Sequence, residues 1–262
     1  MIKLVASDLD GTLLTDDKRL PPDMFDIIEK LNKKDIRFVP ASGRQVCSLE
    51  RFFAPYSEEM PLIAENGGMV TYKGEEIYSS VMKPQFVKEI LEDVLSMGKY
   101  IVLLCGKYNS YTDDEISAQK MHSSWFRYNV ELVDDILNVK DDIIKISVVD
   151  DFNIMKRYYE KLAPKYKDRF GITISGFNCM DFMNKGVSKG YALRLLKKRL
   201  GITTEETVSF GDNLNDVEMF EEAALSYAME KSSNAVKSRA RFVAGDNNKY
   251  AVSEEIKKLC QI

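Results

Sequence analysis

Short apolar runs that end in small or polar residues alternate along this chain with stretches of helical period. The runs IKLVAS (2–7), DIRFVPAS (35–42), PLIAEN (61–66) and ETVSFGD (206–212) have strand length and carry β-branched or aromatic residues. Helical patterns cover 22–33 (PDMFDIIEKLNK), 45–54, 187–200 (VSKGYALRLLKKRL) and 215–222. Strand followed by helix, repeated, implies parallel strands in a doubly wound α/β sheet. Ligands bind such sheets beyond the carboxyl ends of the strands. The polar clusters DLDGT, SGR, ENGG and GDNLND all fall at those ends, so four distant segments are expected to converge on one crevice.

Between about Lys83 and Asn184 the pattern changes. It predicts a helix over 84–97, strands over 100–105 and 110–113, a helix over 114–127, a strand over 143–149, a helix over 152–162, and a hairpin of 170–175 and 178–183 turning near Gly176. This is an α+β block inserted into the alternating pattern. The charge patches VDDIL and KDDIIK, between 133 and 145, read as a solvated loop and a strand entry.

Composition narrows the partners. The chain is 45% apolar and 30% charged with a formal net charge of −4, an ordinary globular balance that lacks the basic face of a nucleic-acid binder. Apolar stretches such as IVLLC (101–105) are far shorter than a membrane span, and no signal-peptide pattern precedes the first strand, so a cytoplasmic protein without a membrane partner is expected. Cys47, Cys105, Cys179 and Cys260 form no CxxC pair and read as buried or incidental thiols. With His122 as the single histidine, acid–base chemistry falls to carboxylates.

Residues two apart on an extended strand point to one side, so Asp8 and Asp10 share a pocket if the strand persists to its end, with Gly11 allowing the exit. Two such carboxylates need an offsetting positive charge, and an oxygen-rich anionic site suits Mg²⁺ better than zinc. The competing reading is a simple strand-terminating turn.

Taken together, DLDGT, ASGR (41–44), SKGYAL (188–193) and GDNLND resemble the haloacid dehalogenase superfamily. With ENGG and the inserted block, the full length resembles its Cof-type sugar-phosphate phosphatases. The resemblance implies a Rossmann-like core of residues 1–82 and 186–262, with an α+β cap of the C2B type over 83–185. It further implies a Mg²⁺-dependent phosphomonoesterase acting on small phosphorylated metabolites through an aspartyl-phosphate. Asp8 is the implied nucleophile and Asp10 the general acid and base, the latter needing a partly raised pKa. Mg²⁺ would be held by Asp8, the Asp10 carbonyl and Asp212. Phosphate would be bound at Leu9, Ser42, Gly43, Lys189 and Asn215, with Ser42 standing where threonine is commoner. Lys189 is preferred to Lys185 because it opens the amphipathic helix.

Several residues keep two readings. Asp216 orients Lys189 or a water, or is a helix-start carboxylate. Arg44 contacts a leaving group or forms a surface ion pair. Asn66 reaches the substrate or braces its loop, and Asn213 can serve the turn alone. His122, Trp125 and Phe126 read as core more readily than as a sugar pocket, and Asn178 and Asp181 are weak candidates for substrate contact. A monomer or homodimer fits. The rival functions are a phosphomutase and a non-catalytic phosphate sensor.

Overall fold

The computed structural model describes residues 1–98, 101–122, 128–149, 158–175 and 179–262. In chain order its elements are β1 (Leu4–Ser7), α1 (Met24–Lys33), β2 (Arg37–Pro40), α2 (Val46–Phe52), β3 (Leu62–Ala64), β4 (Met69–Tyr72), β5 (Glu75–Ser79) and α3 (Pro84–Ser96). There follow β6 (Ile101–Gly106), β7 (Ser110–Thr112), α4 (Glu115–Met121), β8 (Val130–Leu132), β9 (Ile143–Val149), α5 (Glu160–Tyr166), β10 (Phe170–Ser175) and β11 (Cys179–Asn184). The chain closes with α6 (Lys189–Leu200), β12 (Thr207–Gly211), α7 (Val217–Glu221), β13 (Leu225–Met229), α8 (Asn234–Lys237), β14 (Phe242–Ala244) and α9 (Ala251–Cys260).

Five strands form a parallel sheet in the order β14-β13-β12-β1-β2. Strand alternation divides β1 between two cores. Val5 packs with Met24, Ile27, Ile28 and Leu31 of α1 on one face, while Leu4 and Ala6 pack with Ala192, Leu193 and Leu196 of α6 on the other. Each fully buried aliphatic side chain here contributes roughly 1.5–3 kcal/mol. Leu195, on the same helix, is only half-buried. The register sets Ser7 opposite both Phe210 and Pro40, so β12, β1 and β2 release their chains at nearly one level. Strand β3 continues beside β2 through the Ala41–Ile63 pair, and β3-β4-β5 form a small antiparallel sheet.

A second sheet has the order β10-β11-β9-β6-β7-β8. One face buries Val102, Leu104, Ile146, Val148, Met180 and Phe182 against α3 and α5. The opposite face places Lys145, Ser147 and Asp181 toward the loops of the parallel sheet, all three buried.

Most expected elements form with slightly trimmed ends, and two differences have identifiable causes. Helix α5 continues to Tyr166 although Pro164 lies inside it, because Tyr166 is anchored in the apolar core beside Phe170 and Phe182. The rest of the helix predicted over 152–162 falls largely on residues outside those described, as do Trp125, Phe126, Gly176 and Asn178. The KDDIIK patch is not solvated throughout: Lys145, in the apolar run of β9, is buried among acceptors. Among the described residues, no helix is long and apolar enough to cross a membrane.

Candidate active site

The chain turns immediately after β1. Leu14 and Thr12 N–H groups donate back to the Leu9 carbonyl, at 2.8 and 3.3 Å, and Gly11 adopts φ +87°. A Cβ at Gly11 would stand 2.5 Å from Asp212 Oδ2, so both the backbone conformation and the close approach require glycine. Asp8 and Asp10 share one side of a strand only if it persists to Asp10, and this turn ends it first. The extended geometry stops at Ser7, and the two carboxylates are held by different cations.

Asp8 is buried and accepts from Lys189 Nζ at 2.6 Å; the same ammonium donates to Asp216 Oδ1 at 2.7 Å. Lys189 is the first residue of α6, placed there by the Ser188 cap, whose Oγ accepts from the Tyr191 N–H at 3.1 Å. Asp216 uses its other oxygen to accept from the N–H groups of Asp212 and Asn213, at 2.9 and 3.1 Å. Asp216 therefore ties the GDNLND turn to Lys189, and it is not merely a carboxylate at a helix start. Asn213 caps the same turn, accepting from the Leu214 N–H at 2.8 Å.

Carboxylate oxygens of Asp8, Asp212 and Asp216 lie within 4.8 Å of one another. Burial, reinforced by Asp216, pushes the Asp212 carboxyl up to about 6. Asp8 is likewise raised well above the ordinary range, mainly by burial, with Lys189 opposing. Burial works to discharge Lys189, but Asp216 and Asp8 outweigh it and raise its pKa above the usual lysine value. A crowded, hard-oxygen donor set of this kind fits a divalent cation such as Mg²⁺.

Asp10 differs. Arg44 grips it with a two-pronged fork, Nε to Oδ2 at 2.7 Å and Nη2 to Oδ1 at 2.8 Å, and Lys18 Nζ adds a third contact at 2.8 Å. Partial burial favours the neutral carboxyl, but Arg44 and Lys18 prevail and lower the Asp10 pKa to about 2. The expected raised pKa is thus overturned by two cations facing one carboxylate. Arg44 is 4% exposed and its guanidinium lies over the Phe52 ring, so the surface ion pair is overturned as well.

Ser42 and Gly43 follow β2, where Ser42 N–H donates to Ile63 O at 2.9 Å and Ser42 Oγ accepts from Arg44 N–H at 3.3 Å. Asn215 Nδ2 donates to Asn66 Oδ1 at 3.0 Å, and Asn66 Nδ2 donates to Asp181 Oδ2 at 2.9 Å. Leu9 is buried in the turn after Asp8. Lys185 donates instead to Asp168 O at 3.0 Å, and the exposed His122 places Nε2 2.7 Å from Val130 O.

The sequence reading passed over four residues here. Thr12 Oγ1 donates to Asp212 Oδ1 at 3.3 Å, and Lys18 contacts Asp10. Glu65 pairs with Lys145 at 2.6 Å, both buried. Burial raises Glu65, and Lys145 is raised despite its burial by Asp181 and Glu65. The available signal was a charge inside an apolar strand: IIKISVV for Lys145 and PLIAEN for Glu65.

A carboxylate cluster at the exits of β1 and β12, beside a buried lysine from the helix that precedes β12, defines a hydrolase of the α/β class. Residues 5–256 match the haloacid dehalogenase-like hydrolases, and the chain belongs to that family. It is a phosphatase. It is 32% identical to the 5-amino-6-(5-phospho-D-ribitylamino)uracil phosphatase YbjI of Escherichia coli K12, over 98% of this chain and 96% of that protein. It is 28% identical to the HMP-PP phosphatase of Klebsiella pneumoniae, over 97% and 94%. Among solved structures, SMU.1108c of Streptococcus mutans shares 26% identity and a TM-score of 0.90, with all of both chains covered.

Proposed function

We propose that this chain is a Mg²⁺-dependent phosphomonoester hydrolase of small phosphorylated metabolites, sugar phosphates foremost, working through an aspartyl-phosphate. The observation that carries this reading is the buried Lys189 bridging Asp8 and Asp216, with Asp212 beside them. The names of the relatives, one for a phosphoribityl compound and one for HMP-PP, support a small phosphorylated substrate. The reading divides the chain into a catalytic core, residues 1–82 and 186–262, and a cap, residues 83–185.

Asp8, Asp212 and the Asp10 carbonyl would hold the cation, which when bound neutralises carboxylate and phosphate charge. Lys189 holds one Asp8 oxygen and leaves the other for attack. In the first step an Asp8 oxygen bonds to phosphorus, the bond from phosphorus to the leaving oxygen breaks, and Asp10 supplies the proton that this alkoxide needs. In the second, Asp10 takes a proton from water as the water oxygen bonds to phosphorus. The bond between Asp8 and phosphorus breaks, and inorganic phosphate departs. The low pKa of Asp10 in its grip with Arg44 and Lys18 keeps it ionised, the form in which the second step begins. The first step requires that grip to loosen as substrate enters, so that Asp10 can carry a proton. Ser42, the Gly43 N–H, the Leu9 N–H and Asn215 are donors to phosphate in this reading.

Phosphate release from sugar phosphates and p-nitrophenyl phosphate, with Mg²⁺ and with EDTA, tests it. Wild type should turn over only with metal, and Asp8→Asn and Asp10→Ala should not. Near-normal turnover by Asp8→Asn refutes the nucleophile. A requirement for a sugar bisphosphate activator would instead identify a mutase, and stable phosphorylation without release a sensor.

A further inference from the structure

The polar face of the six-stranded sheet meets the phosphate-binding loops through a continuous set of contacts. Lys145 and Ser147 are two apart on β9 and share that face, and Asp181 of β11 is the cross-strand partner of Ser147. Ser147 Oγ donates to Asp181 Oδ1 at 2.5 Å, and Lys145 Nζ lies 3.8 Å from Asp181 Oδ2. From this face Lys145 Nζ donates to the Gly43 carbonyl at 2.8 Å and pairs with Glu65 at 2.6 Å. Asp181 accepts from Asn66, which in turn accepts from Asn215.

The receiving loop is built to present its side chains this way. Glu65 and Asn66 have φ of +50° and +53°, a left-handed conformation that side chains hold only where their surroundings enforce it. Their N–H groups donate to the Arg44 and Ser42 carbonyls at 3.0 and 2.9 Å. Gly67, at φ +94°, lies so close to α6 that a Cβ would stand 2.1 Å from Ser188 O. Both acidic ends of the Lys145 network are thereby fixed relative to the Ser42 loop.

A peptide group is planar, so fixing the Gly43 carbonyl also fixes the direction of the Arg44 N–H on the same plane. That N–H donates to Ser42 Oγ, which leaves the hydroxyl proton of Ser42 to point at an anion. With Gly43, Glu65 and Asp181 around it, the Lys145 ammonium is engaged by the protein itself.

We propose that Lys145, held by Glu65 and Asp181, is a positioning residue for the phosphate-binding loop, acting through the Gly43 carbonyl and not on the substrate. The inference rests on the reading of Ser42 and Gly43 as phosphate ligands. Through this contact the sheet of residues 83–185 is part of the phosphate site and does more than select the organic portion of the substrate.

The test compares wild type, Lys145→Met and the charge-compensated pair Lys145→Met with Glu65→Gln. The pair guards against a single variant that fails to fold around an unpaired carboxylate. For the folded fraction, quantified by thermal melting, the measurements are the inhibition constant of inorganic phosphate and kcat/KM for p-nitrophenyl phosphate and one sugar phosphate. The phosphate inhibition constant should rise about 10- to 100-fold, and kcat/KM should fall by a similar factor for both esters. Unchanged phosphate inhibition in the folded pair variant overturns the proposal. So does a loss confined to the sugar phosphate, which would make Lys145 a contact to the organic part. Wild type that hydrolyses no phosphomonoester refutes the underlying function instead, a result visible before any variant is made.

Discussion

Replacing Lys189 by methionine removes the cation that bridges two buried carboxylates while keeping most of the apolar stem. Lys189 is 1% exposed, and Asp8 and Asp216 face it at 2.6 and 2.7 Å. Breaking a buried pair from one side leaves uncompensated charge, at a cost of about 3–5 kcal/mol. For a chain of this size, each kcal/mol lowers Tm by roughly 2–4 °C, so a fall of about 10 °C is expected at pH 7.5 in EDTA. The fall should shrink on acidification. Without Lys189 the Asp8 carboxyl, already raised in the folded state, rises further, so the folded variant binds more protons than the unfolded chain and gains stability as pH drops. Turnover should fall about 10²- to 10³-fold, the typical effect of losing one preorganised charge at a transition state. Differential scanning calorimetry at pH 7.5 and 5.0, paired with phosphate-release kinetics, measures both. A variant that melts with wild type at pH 7.5 in EDTA refutes the argument that this lysine neutralises a buried carboxylate cluster.

Mg²⁺ should raise Tm relative to EDTA, by an amount corresponding to about 2.7 kcal/mol at a hundredfold excess over its dissociation constant. Because Asp212 protonates near 6 in the metal-free protein, the shift measured by thermal melting should be larger at pH 7.5 than at pH 5. Gly11→Ala should destabilise the fold by roughly 1–3 kcal/mol and weaken Mg²⁺ binding in calorimetric titration, because its Cβ strikes Asp212 at a backbone angle that alanine resists. Arg44→Ala should raise the Asp10 pKa from about 2 toward the ordinary carboxylate value, which a carboxyl-carbon NMR titration reads directly. The stability that Asp10 contributes through its pairing with Arg44, present above the unfolded pKa and lost as pH falls toward 2, should disappear with it.

Part of the parallel sheet was readable because β1, β2 and β12 each carry their own signal and their own ending, whereas β13 and β14, which complete it, were not read from the sequence. β1, β2, β3 and β12 are apolar runs closed by small or polar residues, and the rule that such sheets bind ligands at their carboxyl ends converts those endings into a site. The meeting of Asp8 and Asp212 follows from that topology, whereas Lys189 was reached through the family resemblance. What stayed hidden was set by side-chain reach between segments far apart in the chain. Whether Arg44 faces solvent or Asp10 depends on the turn that follows Ser7, whose side-chain directions strand periodicity does not describe. Lys145 lay in a charge-rich patch whose local composition pointed to water, while its burial depends on Glu65 and Asp181 arriving from two other segments. The helix over Pro164 was missed because local backbone preference opposes it and only packing of Tyr166 supports it.

The place of β12 in the sheet has a consequence for biogenesis. It lies between β1 and β13, so its pairing with β1 joins Leu4 to Thr207, across almost the whole chain. On the ribosome, β1 and β2 emerge early and can associate, but the other edge of β1 has no partner until residues 207–211 are made. At about 5–20 residues per second that interval is roughly 10–40 s. Throughout it the nascent chain presents an apolar strand edge open to pairing with other chains. Slowed translation through the middle of the message should therefore lower soluble yield more than the stability of the finished enzyme would indicate, with a co-expressed chaperone that shields apolar strands restoring it.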